Sequence, residues 1–574
     1  MTKAENNRIL SAHGAMDCKS RIAALLMSLL VPLFATAQTT GGGLVGRASD
    51  ERDRPLAAVE VTATHVATGW SRTLKTASDG RYRFPSLPTG SYEILAERHG
   101  YTSVAVRKID VLLGVARRVD VRMRQVAEDE QVTVTAPVRV VESAPPIGIV
   151  VRREIIADVP LRARIIGEFG ALSPLAGSRL INPLAETILN GATAASDVPL
   201  DAIEEINATT RQYPAEVGRT SGGVLLVAPR VGRNEFEGDA FGLYRTRRRT
   251  SQWGVAAGGP IAKDVSHFFA AIDGDSDDGQ RLFATANVDL SSRHFVEGDY
   301  AAARDGSGGA LARDLWLARE SVWNELVLHA ASGANEIRDS LAGSIAGPVV
   351  RHDWTVGGLA LQNGGNSFFA QDQVIVGKLA VNAGVRYDRW RNTSGFSPRV
   401  GLTYDVNGSG RNLVRASYGR YLNPDESDAS LGYSWQVNPW VALNVDALHS
   451  KPANERTHNA VAVSGFVQFS TYLSLTGSYT YSNGVVANDL ARHSAAVAGT
   501  LHLPAGFWLA GIGRYRSAPG VADQPAGTDL RGAKTFTFDR YAVDVLFDVF
   551  NAFAQRSRTF NDRRAEQLGL RVNF

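Results

Sequence analysis

Cysteine is almost absent. Cys18 is the single one in 574 residues, which excludes a disulfide framework and any thiolate-built metal centre within the chain. Lysine is scarce as well, eight residues among 61 Lys and Arg, so arginine carries the basic charge. A net charge of +3 supplies no strong field for a polyanion, and no nucleic-acid partner is expected. Beyond the N-terminal region no run of about 18 or more apolar residues occurs, which excludes helical membrane spans. Barrel spans stay open, because alternating strands average to near-neutral hydropathy, and the mean hydropathy is −0.12. H-E-x-x-H, G-x-S-x-G and P-loop patterns are all missing, and the 11 His are scattered. No covalent chemistry, metal or cofactor is therefore expected.

The residues that are present favour strands. The chain is 44% hydrophobic and 21% charged, too apolar for a disordered chain, and its 56 glycines favour many turns. Lys19 and Arg21 precede an apolar run, Ile22 to Phe34, followed by Ala35-Thr36-Ala37. A charged start, a short apolar stretch and a small-x-small end describe a secretory signal peptide over 1–37, cleaved after Ala37.

Residues 41–125 read as short strands punctuated by turns. Val59 to Ala63 alternates, Ser78-Asp79-Gly80 turns the chain, and Leu87-Pro88-Thr89-Gly90 turns it again before Ser91 to Ala96. The length suits one small β-sandwich, with Tyr82, Phe84 and Tyr92 at core spacing. The run Asp79-Gly80-x-Tyr82-x-Phe84, then Leu87-Pro88-x-Gly90-x-Tyr92, then Gly100-Tyr101, resembles the carboxypeptidase regulatory-like, or transthyretin-like, module. The aromatics are expected to pack rather than to stack on a sugar; a carbohydrate-binding-like fold does not by itself establish sugar binding.

Residues 126–136 join an acidic cluster, Glu128, Asp129 and Glu130, to the alternating stretch Val132 to Ala136. Such a segment can add itself to a sheet edge, or serve as a plain linker strand. With the motifs on its C-terminal side, it resembles the TonB box of TonB-dependent outer-membrane receptors, here Glu130, Gln131, Val132, Thr133, Val134, Thr135 and Ala136. Val159-Pro160-Leu161-Arg162-Ala163-Arg164 is similar to an early plug motif, and Pro199-Leu200-Asp201-Ala202-Ile203-Glu204-Glu205-Ile206 to the central one. Tyr213 to Val224, with Glu216, Gly218, Arg219, Gly222 and Gly223, is similar to the closing motif, and Asn234-x-Phe236-x-Gly238 to the start of the barrel. Among these receptors the Oar-like ones carry a regulatory-like module in front. The glycines suit tight turns in a domain packed inside a barrel, and Glu216 and Arg219 are candidates for ion pairs between plug and wall. Two departures stand out: the plug at 137–233 is short, and Ala228-Pro229-Arg230 replaces the usual basic residue after the closing motif.

Residues 234–574 repeat one alternation. Leu379, Val381, Ala383, Val385 and Tyr387 share a face, as do Leu473, Leu475, Gly477, Tyr479 and Tyr481. Alternation alone fits either a soluble sandwich or a membrane barrel. Strands of about ten residues suit a tilted crossing. Tyr387, Trp390, Tyr418, Tyr421, Tyr479 and Tyr481 sit near strand ends, as interface girdles do. The alternating Leu568, Leu570, Val572 and Phe574 resemble the C-terminal signal read by the barrel assembly machinery. Resemblance implies 22 strands, with about six residues per connection; sixteen would leave about twelve. Two smaller features read as bland. Arg245 and Arg247 to Arg249 suit a polar loop or lipid head groups, and Asp273, Asp275, Asp277 and Asp278 suit a solvated hairpin tip better than a calcium loop.

The expectation is an all-β chain: a transthyretin-like β-sandwich, a TonB box and linker at 126–136, a plug at 137–233 and a transmembrane antiparallel β-barrel at 234–574. The resemblance implies an outer-membrane receptor with its N-terminal domain in the periplasm. Its partners would be a TonB-type energy-transducing protein, outer-membrane lipid, the barrel assembly machinery and an unidentified small ligand. Two rivals stay open on sequence alone, a structural or adhesive barrel without transport and a secreted carbohydrate-binding multi-sandwich protein.

Overall fold

A computed structural model describes residues 41–574 with these exceptions: 126–133, 136–139, 143–146, 174–185, 194–197, 212–214, 219–223, 484–491, 518–525, 554–563, and the connection tips 248, 277–278, 305–306, 320–321, 332–333, 347–349, 363, 391–392, 423–425, 439, 453–456 and 470–471. The signal-peptide expectation, Ala37 included, lies outside the described residues.

Alternating strands with one apolar face pair into two facing sheets at the N-terminal end. In one, Gly42–Ser49 lies antiparallel to Arg81–Leu87 and parallel to Ala116–Val119. In the other, Glu60–His65 lies between Ser71–Lys75 and Gly90–Glu97, and Val104–Val111 follows. Leu44, Val61, Phe84, Tyr92 and Ile94 fill the space between them and are fully buried. Tyr82 and Tyr92 are packing residues whose hydroxyls find main-chain acceptors, Val119 O at 2.5 Å and Pro88 O at 2.9 Å. Two linker strands then add to the sheet edges. Val134–Thr135 runs parallel to Val104 and Ala105, and Val140–Glu142 runs antiparallel to Arg117–Val119.

The next unit is a mixed five-stranded sheet in the order Ile147–Arg152, Ile203–Arg211, Val224–Pro229, Glu186–Leu189, Ala192–Thr193. A single-turn helix, Arg153–Asp158, buries Ile155 and Ile156. The core of this unit continues into inward-facing barrel residues such as Ala256, Phe269 and Phe283, so the sheet sits inside the cylinder.

The cylinder has 22 antiparallel strands, from Glu237–Arg245 to Ala565–Asn573, and it closes on itself. Its strands run nine to thirteen residues. A ten-residue strand tilted by about 45° rises about 24 Å, the height of a membrane barrel's apolar band. Leu402, Tyr404, Val414, Leu431, Val445, Tyr479 and Leu570 are exposed on the outside, while Arg, Asp, Ser and Thr alternate with them toward the lumen. No second sheet covers the apolar face among the described residues, which removes the multi-sandwich rival. The count of 22 is reached because connections are short at both ends. On the side opposite the plug's point of attachment the longest is 551–564, and the others have nine residues or fewer.

Two aromatics depart from the expected girdle. Tyr421 points into the lumen, buried, with the Arg399 guanidinium 4.9 Å from its ring centre. Trp390 shares the inward face of Arg386 and Asp388 and lies over Gly365. Period two assigns residues to faces, but proximity to a strand end does not say which face is outside.

The seam of the barrel joins Gly238 and Phe574, which exchange two main-chain hydrogen bonds of 2.9 Å each. A Cβ on Gly238 would lie 2.5 Å from the Phe574 ring and 2.6 Å from Ala256 O, whereas one on Gly242 would meet nothing within 4 Å. Gly238→Val should overpack the seam, at a cost of roughly 1–3 kcal/mol, and lower the temperature at which the folded, fast-migrating gel species is lost. Gly242→Ala should leave that temperature unchanged.

Candidate functional site: the plug and its anchors

A plug strand has main-chain carbonyls that must be satisfied away from bulk water. In this chain wall arginines meet much of that need. Four of them, Arg281, Arg386, Arg531 and Arg571, are fixed sideways by a wall carboxylate and give further N–H groups to the plug, a use of the guanidinium fork that lysine cannot copy. Arg531 pairs with Asp548 at 2.6 Å and donates to Asp158 O at 3.2 Å. Arg571 pairs with Asp544 at 2.8 Å, donates to Ala157 O at 3.2 Å and reaches the Asp158 carboxylate at 2.8 Å. Arg281 pairs with Asp273 and donates to Arg164 O at 2.9 Å. Arg386 pairs with Asp388 at 2.8 Å and donates to Glu216 O at 2.8 Å, while Arg399 donates to Val217 O at 2.6 Å.

These contacts fall on the motifs singled out in the sequence. The early and central plug motifs meet through Arg164 and Asp201, 2.7 Å apart. Burial works against the Asp201 charge, but the Arg164 and Arg153 cations outweigh it and hold its carboxyl below the ordinary value. Gly218 leaves room for the Arg386 fork: a Cβ there would lie 2.2 Å from Arg386 Nε and displace it. Glu216 is buried, and the wall grips it through its main-chain carbonyl, which Arg386 reaches. Arg219, Gly222 and Gly223 lie outside the described residues. Arg230 takes up a basic role after the closing motif, buried and 2.8 Å from Asp239. Of the TonB-box residues, Val134 and Thr135 form the strand on the sandwich edge, and Glu130, Gln131, Val132, Thr133 and Ala136 lie outside the described residues.

A family model described as TonB dependent receptor-like, beta-barrel, matches residues 199–460, and one for the carboxypeptidase regulatory-like domain matches 43–124. Over these residues the chain is similar to the TonB-dependent receptors and to the regulatory-like domain. The TonB-dependent transporter Oar of Myxococcus xanthus is 28% identical over 315 residues, 46% of this chain and 29% of the relative. The receptor thus spans under a third of the length of that curated relative. Among solved structures, the ferric-catecholate import receptor Fiu of E. coli K12 superposes with a TM-score of 0.61 at 11% identity, over 74% of this chain and 96% of that one. The siderophore receptor PirA of Pseudomonas aeruginosa gives 0.58 at 13%, over 75% and 100%. The fold is that of these outer-membrane receptors, with the sandwich at the barrel end where the plug joins the wall.

Two readings of the receptor's sequence need correction. Asp273 is not at a solvated tip: it is 2% exposed, paired with Arg281 inside the lumen. Arg245 is neither a loop nor a lipid contact; it donates to Arg162 O of the plug at 2.8 Å. Both residues stand at inward positions of strands that extend further than local turn signals suggest. Sequence reasoning also misses a clamp between plug and sandwich. Glu205 Oε1 accepts the Leu113 N–H at 2.6 Å and Asn207 Nδ2 donates to Leu113 O at 2.8 Å. Their partner is a main-chain group, which carries no residue signature.

In the wall, Arg281→Met strands a buried Asp273 and should destabilise the receptor by roughly 3–5 kcal/mol, whereas Arg281→Met with Asp273→Asn should cost clearly less. Denaturant titration of the detergent-solubilised barrel measures both. At the clamp, stability should depend on pH. Burial, against the opposing Leu113 N–H and Arg152, raises the Glu205 carboxyl to about 8. Its folded value exceeds its unfolded one, so its contribution is complete below the ordinary carboxylate range and is lost as pH rises through about 8. Wild-type stability should fall relative to Glu205→Gln between about pH 5 and about pH 8 and level off above, because glutamine keeps the acceptor and does not titrate.

Proposed function

We propose that this receptor takes up a small ligand across the outer membrane, powered by a TonB-type energy-transducing protein that grips residues 130–136. The supporting observation is the plug itself, seated in a closed 22-strand barrel by side chains that reach its main chain. Such bonds hold the plug whatever its outer side chains are, and they can be exchanged for water when a pull on the linker shifts it. The units behind this reading are a signal peptide at 1–37, a regulatory-like sandwich at 41–125, the coupling box and linker at 126–136, a plug at 137–233 and the barrel at 234–574. Glu216, Gly218, Arg219, Gly222 and Gly223 make up the plug's closing motif, and Arg386 holds the Glu216 carbonyl to the wall. Phe574 serves insertion by the barrel assembly machinery, and lipid covers the apolar belt. Movement, with no covalent step, is the whole of the activity.

The PirA proteins among the structural relatives are named as siderophore receptors, so iron-bearing ligands head the screen, with oligosaccharides and peptides after them. A strain lacking the receptor is compared with wild type across iron and carbon sources. Deletion of 130–136 should then abolish growth on the nutrient so found while leaving heat-modifiable barrel in the outer membrane. A barrel that inserts and supports growth without the box is an adhesive or structural one.

A further inference from the structure

We propose that the sandwich at 41–125 is a second stopper, seated in the periplasmic mouth of the barrel, which must leave its seat before a ligand can pass. This rests on the uptake reading above and adds to it a barrier that the plug does not provide.

The lumen wall carries apolar side chains where it meets the plug, such as Ala256, Phe269 and Phe283, and again at the mouth, where the plug does not cover them. Phe295, Leu315, Leu317 and Trp323 point inward at the mouth end of their strands and are 7% exposed or less. They are one continuous apolar cluster with the sandwich core, Trp70 included. Apolar side chains at inward positions of a water-filled mouth would be unfavourable; against the sandwich they are covered. Polar contacts ring this patch. Arg83 reaches the wall carboxylate Asp353 at 2.5 Å, and Asn234, at the entrance to the barrel, donates its main-chain N–H to Ala67 O at 2.9 Å. On the inner side the Leu113 clamp and the Arg152–Asp110 pair, 3.2 Å, tie the sandwich to the plug. Farther round the mouth, Leu112 and Val115 share a small cavity with Leu413, Ser434 and Phe466 of the wall. The sandwich therefore touches separate sectors of the rim and the plug between them.

The seat is built to be left. Between sandwich, plug and wall lies a cavity of about 470 Å³ lined by Arg152, Glu204, Arg233, His267, Glu297 and Arg313, among others. An interface of ion pairs around one apolar patch, with charged space behind it, resembles a separable contact between domains more than a shared core. The linker strands Val134–Thr135 and Val140–Glu142 are laid on the sandwich's own sheet edges. A pull applied just before them loads the sandwich before it reaches the plug.

The test uses the full chain with Cys18→Ser, so that introduced thiols are the only ones. Arg83→Cys with Asp353→Cys is joined in cells by a bifunctional thiosulfonate that reductant cleaves; Ala67→Cys with Asn234→Cys is the second seat pair, should the first fail to insert. Ser478→Cys with Leu172→Cys, from a plug–wall contact of 2.7 Å, locks the plug for comparison. The readout is growth on the receptor's nutrient. Locking the seat should reduce growth to that of the box-deletion strain, and reductant should restore it. Growth that persists with the seat fully crosslinked, while the plug lock stops it, overturns the second stopper and leaves the uptake reading standing. Growth unaffected by box deletion overturns both.

Discussion

Every main-chain N–H and C=O at membrane depth needs a partner, and the architecture of this receptor follows from how two kinds of chain meet that need. The barrel meets it strand to strand, closed through Gly238 and Phe574. The plug has irregular stretches that no ladder can serve, and there the wall supplies guanidinium groups. Arg281, Arg386, Arg531 and Arg571 each combine a neighbouring carboxylate with a plug carbonyl. The carboxylate offsets the burial of the charge, which would otherwise be prohibitive, and the fork geometry leaves donors free to point inward.

This arrangement explains why so much of the fold is legible in sequence and why part of the site is not. Alternation in stretches such as Leu379 to Tyr387 fixes strand, spacing and face, and the closed cylinder follows from many such stretches with short connections. Alternation does not identify which inward residue grips the plug. The local company of Asp273 and Arg245 suggests a tip and a loop, because Arg281 meets Asp273 only once the hairpin's strands extend past the turn signals, and Arg162 O is a distant main-chain group. Its place near a strand end assigns Tyr421 to the membrane surface, although its parity puts it beside Arg415 and Ser417 on the inner face. The clamp on Leu113 has no signature at all.

The short outer connections bear on ligand capture. With only 551–564 longer than nine residues on that side, the receptor presents little loop surface to the exterior. Under the proposed uptake, recognition would fall to the upper plug and the inner wall, where Arg, Asp, Ser and Thr are already arranged around plug carbonyls. The groups that hold the plug and those that meet a ligand would thus be neighbours, which gives a direct route from occupancy to loosening.

The seam has a consequence for assembly. It joins residues 336 positions apart in the chain (574 less 238), so the entropy of closing that loop is paid before any of its bonds form. Such a ring is expected to shut last and all at once. A five-stranded sheet bound to the wall by several arginine forks has no evident way into a finished ring, so biogenesis must gather the wall around its contents.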